Sequence, residues 1–75
     1  MNLTKNQEEV LNCMRDGDNN LKNICVEYAK IMHVKGYNPL WYVWSSSVSN
    51  KLNQLIKKGY VQYVSRGVYS KLKIN

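Results

Sequence analysis

Apolar residues recur at helical spacing in the first part of the chain and predict a helix over about residues 5–15. Thr4 and Gln7 have the spacing of a capping box, in which the hydroxyl and the amide each satisfy an exposed backbone donor. The polar sequence Asp16-Gly17-Asp18 then interrupts the pattern. The apolar positions of this first helix are Val10, Leu11, Cys13 and Met14.

A second run of apolar positions predicts a longer helix. Either Asn19 or Asn20 suits its N-terminal cap. The pattern stops at Lys35-Gly36, where a cation suits the negative end of the helix dipole and glycine tolerates a left-handed backbone. The apolar positions of this second helix are Leu21, Ile24, Cys25, Tyr28, Ala29, Ile31 and Met32.

The aromatic segment, residues 37–44, permits two interpretations. Pro39 after an Asn38 cap can open a helix that continues one apolar face as far as Ile56. Alternatively, residues 37–44 form an extended turn and a new helix starts at Ser45-Ser46-Ser47. We prefer the second interpretation because serines are good helix caps and poor interior residues.

The rest of the chain predicts a third helix followed by a β-hairpin. Apolar positions at 48, 52, 55 and 56 define the helix, which ends at Lys57-Lys58-Gly59. Residues 60–64 and 68–74 then alternate and are rich in β-branched and aromatic side chains, as strands are. Ser65-Arg66-Gly67 joins them, with Gly67 free to adopt a positive φ. One face of the second strand carries Val68, Ser70, Leu72 and Ile74, and the other carries Tyr69, Lys71 and Lys73.

Length and composition indicate a single folded domain over residues 1–75. Two cysteines and one histidine are too few for a disulfide framework or a four-ligand zinc site, so we expect no metal and no cofactor. Both cysteines fall on apolar helix faces, which predicts core residues in a reducing compartment. We see no signal peptide and no apolar run of ~20 residues, and therefore expect a soluble, cytoplasmic protein without membrane contacts.

Acidic and basic residues are segregated along the chain. All five Asp and Glu lie within the first 27 residues, which carry three basic residues and a formal charge of −2. Residues 28–75 contain eight Lys and Arg and no acidic residue, a charge of +8. Basic residues solvate many small domains, but their segregation indicates a partner that is a polyanion, and the commonest polyanion is nucleic acid.

Two segments resemble the winged helix-turn-helix family. Residues 46–61, SSVSNKLNQLIKKGYV, closely resemble its recognition helix and first wing strand, and residues 3–11, LTKNQEEVL, resemble the first helix of bacterial winged-helix repressors. The resemblance implies an α+β fold of three helices and a C-terminal two-stranded wing, with the third helix in the major groove of double-stranded DNA. Residues 33–44 depart from the family, which has a shorter second helix and a tight turn there.

The polar face of the third helix has side chains that read bases. At about 100° per residue, this face lies opposite Val48, Leu52 and Leu55. Asn and Gln bond bidentately to adenine, and Ser bonds to bases or phosphates. An uncharged amide-rich face is more typical of base reading than a face of lysines alone. We predict DNA contacts from Ser46, Ser47, Ser49, Asn50, Asn53, Gln54 and Lys57.

The predicted hairpin adds a second set of DNA contacts. Arg66 lies at its tip, and arginine is the side chain that best enters a narrow minor groove. Lys71 and Lys73, on one face with Tyr69, are expected to contact the DNA backbone. The alternative for Arg66 is an ordinary solvated turn residue.

Four aromatic residues crowd into the aromatic segment: Tyr37, Trp41, Tyr42 and Trp44. A chain of this length does not easily bury all of them, and partly exposed Trp and Tyr favour interfaces. One interpretation is a local core that covers the ends of the second and third helices. The other is a surface for a homodimer or for another protein, and stacking on single-stranded bases is a remote third.

No catalytic constellation is present in the sequence, so we do not expect an enzyme. The acidic residues form no evident acid/base pair, and there is no glycine-rich phosphate loop or Ser-His-Asp set. His33 suits a helix end or the surface, and no small-molecule ligand is evident. We expect a small transcriptional regulator of a phage, plasmid or virus that covers a promoter or contacts RNA polymerase. The alternative is a viral interaction module that binds a host protein through the aromatic segment.

Overall fold

Three α-helices and three β-strands make up residues 3–72, the part of the chain that the computed structural model describes. The strands form one antiparallel sheet in the order β1-β3-β2. The elements are α1 (Lys5–Asn12), β1 (Gly17–Asn20), α2 (Leu21–Val34), a 3₁₀ helix (Trp41–Trp44), α3 (Ser45–Lys57), β2 (Val61–Ser65) and β3 (Val68–Lys71).

The capping box predicted at the start of α1 is confirmed. The hydroxyl of Thr4 accepts a hydrogen bond from the Gln7 backbone N–H at 3.2 Å, and the Gln7 side-chain oxygen accepts one from the Thr4 N–H at 3.1 Å. The helix ends at Asn12, earlier than predicted. Beyond it, the Arg15 N–H donates to the Asn19 side-chain oxygen at 2.8 Å, so the chain has already left the helical path.

Strand β1 corrects the prediction of a two-stranded sheet. The side chain of Asn19 is almost fully buried, and its amide nitrogen donates to the carbonyl oxygens of Arg15 and Gly17, both at 2.9 Å. These bonds close the loop and align the strand with β3, where Asn19 lies opposite Tyr69. The sequence Gly-Asp-Asn-Asn has low strand propensity, and pairing with β3 overrides it.

The start of α3 agrees with the interpretation that we preferred, but the segment before it does not. The helix begins at Ser45, whereas Trp41–Trp44 form a 3₁₀ helix rather than an extended turn. This 3₁₀ turn leads directly into α3, so the serines form its first turn rather than its cap. The Ser45 hydroxyl instead donates to the Tyr42 carbonyl oxygen at 3.0 Å.

The glycines that were predicted to end helices and turn the hairpin adopt positive φ. Gly36 has φ of 91° after α2, and Gly67 has φ of 74° in the hairpin turn. The Gly67 carbonyl also accepts from the Leu21 N–H at 2.8 Å, which ties the hairpin turn to the start of α2.

The apolar faces of the three helices form one core with the inner face of the sheet. Burial raises the pKa of the Cys25 thiol to about 11, and that of Cys13 also to about 11 with help from Glu27 and Glu9, so both thiols are protonated core groups as expected. The buried core residues are Val10, Met14, Ile24, Cys25, Tyr28, Met32, Val48, Leu52, Leu55, Val61 and Tyr69, with Cys13 partly buried beside them.

Gln7 connects the start of α1 to the end of α3. Its side chain is 4% exposed, so its polar atoms depend on protein partners. Its amide nitrogen donates to the Gln54 side-chain oxygen at 2.6 Å, and its oxygen accepts from Lys58 Nζ at 2.7 Å in addition to the Thr4 N–H. One buried amide thus fixes the two helices relative to each other.

We expect Gln7→Ala to lower the free energy of unfolding by about 2 kcal/mol, because it removes the capping-box bond from the Thr4 N–H and the hydrogen bonds with Gln54 and Lys58 that join α1 to α3. Urea unfolding followed by circular dichroism measures the change. Gln62→Ala, an amide removed from an exposed position of β2, is the control and leaves stability nearly unchanged. Equal stability of the two variants would contradict a connecting role for Gln7.

Candidate nucleic-acid interface

One face of α3 is buried and the opposite face is polar and open to solvent. Val48, Leu52 and Leu55 are 0% exposed. On the opposite side lies the polar stripe, defined as Ser46, Asn50, Asn53 and Lys57, and all four of these residues are exposed.

The polar stripe consists of side-chain types that can contact base edges and phosphates. An α-helix fits the major groove, and two adjacent carboxamides offer paired donors and acceptors for base edges. The α3 helix contains no acidic residue, and Lys57 adds a cation in its last turn. The arrangement is therefore suited to base contacts flanked by phosphate contacts.

The residues predicted to flank the polar stripe differ in their surroundings. Ser47 is exposed and Ser49 is half-buried. Gln54 is exposed, but its side-chain oxygen already accepts the bond from Gln7, which fixes the orientation of the amide and leaves one lone pair and the amide hydrogens for another partner. Gln54 therefore stabilises the packing of α3 on α1, a role that its spacing on a helix did not reveal.

Arg66 is placed by the hairpin turn. Its side chain is exposed, and it forms no hydrogen bond or ion pair with any of residues 3–72. The turn follows an irregularity in the pairing of β2 with β3 between Tyr63 and Ser65. Such bulges increase the local twist of a hairpin.

The lysine and tyrosine positions on the wing need correction. Tyr69 is 8% exposed and packs in the core, so it is removed from the proposed DNA contacts. Lys71 lies on the same face, opposite the buried Val61, and is half-buried. The face predicted to look toward DNA is thus the face that covers the helices. Lys73 lies outside the described residues.

The acidic residues are gathered on the first half of the fold. Glu9 forms an ion pair with Lys35, and this bond raises the pKa of the Lys35 ammonium. Glu27 pairs with Lys30 at 2.8 Å, which lowers the pKa of the Glu27 carboxyl. Glu27 also lines a cleft with Asp18. The basic charges of α3 and the hairpin turn therefore have no acidic neighbour on their own elements.

The two tryptophans of the aromatic segment are half-buried and pack against the hydrophobic core. Trp44 makes edge-to-face contacts with Tyr28 and Tyr37, with ring centroids 5.9 and 6.1 Å apart, and its indole N–H donates to the Asn38 carbonyl at 2.7 Å. Trp41 is half-buried, and Lys22 Nζ lies 5.5 Å from its ring centroid. These contacts favour the interpretation of a local core for the tryptophans.

The same segment leaves other apolar side chains on the surface. Tyr37 and Tyr42 are 59% and 58% exposed, and Leu40 and Val43 are also exposed. His33 is exposed at the end of α2, as the sequence suggested. The prediction of an interface is thus narrowed from the tryptophans to the tyrosines and their aliphatic neighbours.

Residues 3–72 bring together no group of three or more His, Cys, Asp or Glu side chains able to hold a metal. Their helices are too short or too polar for any to cross a membrane. No protein-family model matches the chain, and no curated protein or solved structure is significantly similar to it.

We expect Trp44→Ala to lower the free energy of unfolding by about 3 kcal/mol, since it removes two aromatic contacts and opens space beside the core. Tyr42→Ala, in the same short helix, should cost less than about 1 kcal/mol because its ring is mostly exposed. Thermal melting of both variants measures the difference. A Trp44→Ala protein as stable as Tyr42→Ala would show that the tryptophan is not a core residue.

Proposed function

We propose that this chain is a double-stranded DNA-binding protein, a small transcriptional regulator of the winged helix-turn-helix class. The observation that carries the proposal is the polar stripe, an exposed amide-rich face on a helix whose other side is fully buried. In the proposed complex α3 lies in the major groove, and Asn50 and Asn53 bond to base edges.

The architecture supports the proposal. The three helices precede the hairpin in the order that the resemblance to the winged-helix family implies. Strand β1 widens the sheet along β3, and the Arg66 side chain at the hairpin turn remains exposed. Strand β1 thus adds to the expected two-stranded wing without covering the polar stripe or Arg66.

The charge distribution supplies the expected source of affinity. Cations that neutralise phosphates release condensed counterions, so affinity depends steeply on salt. Lys57 and Arg66 are exposed cations on the two elements proposed to face DNA. The base contacts of the polar stripe then add discrimination between sequences.

An electrophoretic shift assay on random duplex DNA, repeated over a salt series, tests the proposal. Binding at low salt that weakens steeply as salt increases is the expected result. A wild-type protein that does not shift duplex DNA at low salt would contradict it.

A second candidate function rests on the exposed apolar side chains of the aromatic segment. Tyr37, Leu40, Tyr42 and Val43 suit contact with another protein, either a second copy of this chain or a host factor such as RNA polymerase. A weak homodimer is compatible with the first function, because specific regulators gain affinity by binding two half-sites. Sedimentation of wild type and Tyr42→Ala tests the homodimer: self-association that the substitution abolishes supports this surface, and a strictly monomeric wild type contradicts the homodimer.

We expect Asn50→Ala and Asn53→Ala each to lose about 1–3 kcal/mol of discrimination between the preferred site and random DNA. Both side chains are exposed, so folding is retained. Competition binding to a site selected from a random pool measures the loss. Asn12→Ala, an exposed amide on α1, is the matched control. If both stripe variants discriminate as wild type does, α3 is not the base-reading element.

Arg66→Ala should reduce the slope of log affinity against log salt by about one unit, because one phosphate contact is lost. If the turn enters a narrow minor groove, the loss of affinity is larger at A·T-rich flanks. The control is Lys30→Ala, which removes a lysine that is paired with Glu27 on α2. If the salt slope of Arg66→Ala equals that of the control, the hairpin turn makes no phosphate contact and has a structural role alone.

A further inference from the structure

A groove of about 340 Å³ opens between the start of α1, the end of α2 and the start of α3. Its lining combines aromatic rings with polar groups. Tyr28 and Trp44 are rings of the local core described above, and Tyr37 adds an exposed one. Asn6, Ser47 and Lys51 supply an amide, a hydroxyl and an ammonium group.

Lys51 is the cation of this groove that has no counter-ion among residues 3–72. It is half-buried, and within residues 3–72 it has no ion pair or hydrogen bond. The other lysine of the groove, Lys35, is already paired with Glu9. A partly desolvated ammonium without a partner favours the binding of an anion beside it.

The groove adjoins the polar stripe on the side of α3 that faces α1. Ser47, Lys51 and Gln54 are spaced at i, i+4 and i+7, so they form one row along the helix. The bond from Gln7 to Gln54 shows that this row faces the start of α1, and Asn6 lies beside Ser47 and Lys51 in the groove. A DNA strand bordering the major groove that α3 occupies would pass along this row.

We propose that this groove binds one sugar–phosphate unit of the DNA strand that borders the major groove. The inference rests on the proposed function of α3. Lys51 and the Ser47 hydroxyl donate to the phosphate oxygens, with the Asn6 amide as a third donor. The exposed ring of Tyr37, which lines the same groove, packs against the deoxyribose.

Salt-dependent binding of duplex DNA by Lys51 variants tests the inference. Lys51→Ala is expected to flatten the salt slope by about one unit and to weaken binding to all sequences equally. Lys51→Arg keeps the slope, because the charge remains. Tyr37→Ala weakens binding severalfold without a change of slope, since it removes no charge. Circular dichroism confirms that each variant is folded.

A matched pair of substitutions that each introduce one negative charge sharpens the test. Asn6→Asp places a carboxylate in the groove and should weaken binding by at least about tenfold at low salt. Asn23→Asp makes the same change at an exposed position that lines the separate cleft with Asp18 and Glu27, and should have little effect. Equal effects of the two substitutions would show that only net charge matters, and would overturn the inference.

The outcomes separate this inference from the proposed function. If wild type fails to bind duplex DNA at low salt, both are overturned. If binding depends on Asn50 and Asn53 but Lys51→Ala keeps the wild-type salt slope, only the groove assignment fails. Deoxyadenosine monophosphate and inorganic phosphate serve as probes of a free anion. Saturable quenching of Trp44 fluorescence by either, together with an unchanged Lys51→Ala slope, would assign the groove to a small molecule instead.

Discussion

The buried side chain of Gln7 is the constraint on which the position of α3 depends. It completes the capping box of α1, donates to Gln54 and accepts from Lys58, so one amide joins the start of α1 to the end of α3. An amide buried without these partners would cost free energy, so the network favours a single arrangement of the two helices. The same contact aligns the start of α1 with the row of Ser47 and Lys51 and thereby forms the proposed phosphate groove.

Local signals in the sequence predicted much of the fold. Thr4 and Gln7 marked the start of α1, Gly36 marked the end of α2, and Gly67 marked the hairpin turn. Such signals can be read locally because caps and positive φ depend on neighbouring residues alone. Strand β1 was missed because its pairing is made with β3, about fifty residues away in sequence, a distance at which local propensity carries no information.

Some residues of the candidate site were predicted correctly and others were not, again because local patterns are visible in the sequence and long-range contacts are not. Helical periodicity correctly separated the buried and exposed sides of α3, since the apolar residues define the inner side without ambiguity. The alternation of residues in β3 defined two faces of the strand but did not show which face packs against the helices. Tyr69 proved to be a core residue. The hydrogen bond of Gln54 with Gln7, and the lack of a partner for Lys51 among residues 3–72, depend on how α1 and α2 pack against α3, so no spacing rule reveals them.

The central claim is that the polar stripe contacts DNA, and side-chain amide NMR tests it most directly. A ¹⁵N-labelled protein titrated with a short duplex at low salt should show the largest shifts at the Asn50 and Asn53 side-chain amides and at the Arg66 guanidinium, while the buried Asn19 amide stays unchanged. Shifts confined to the backbone of Leu40 and Val43, or no shifts at all, would contradict the claim.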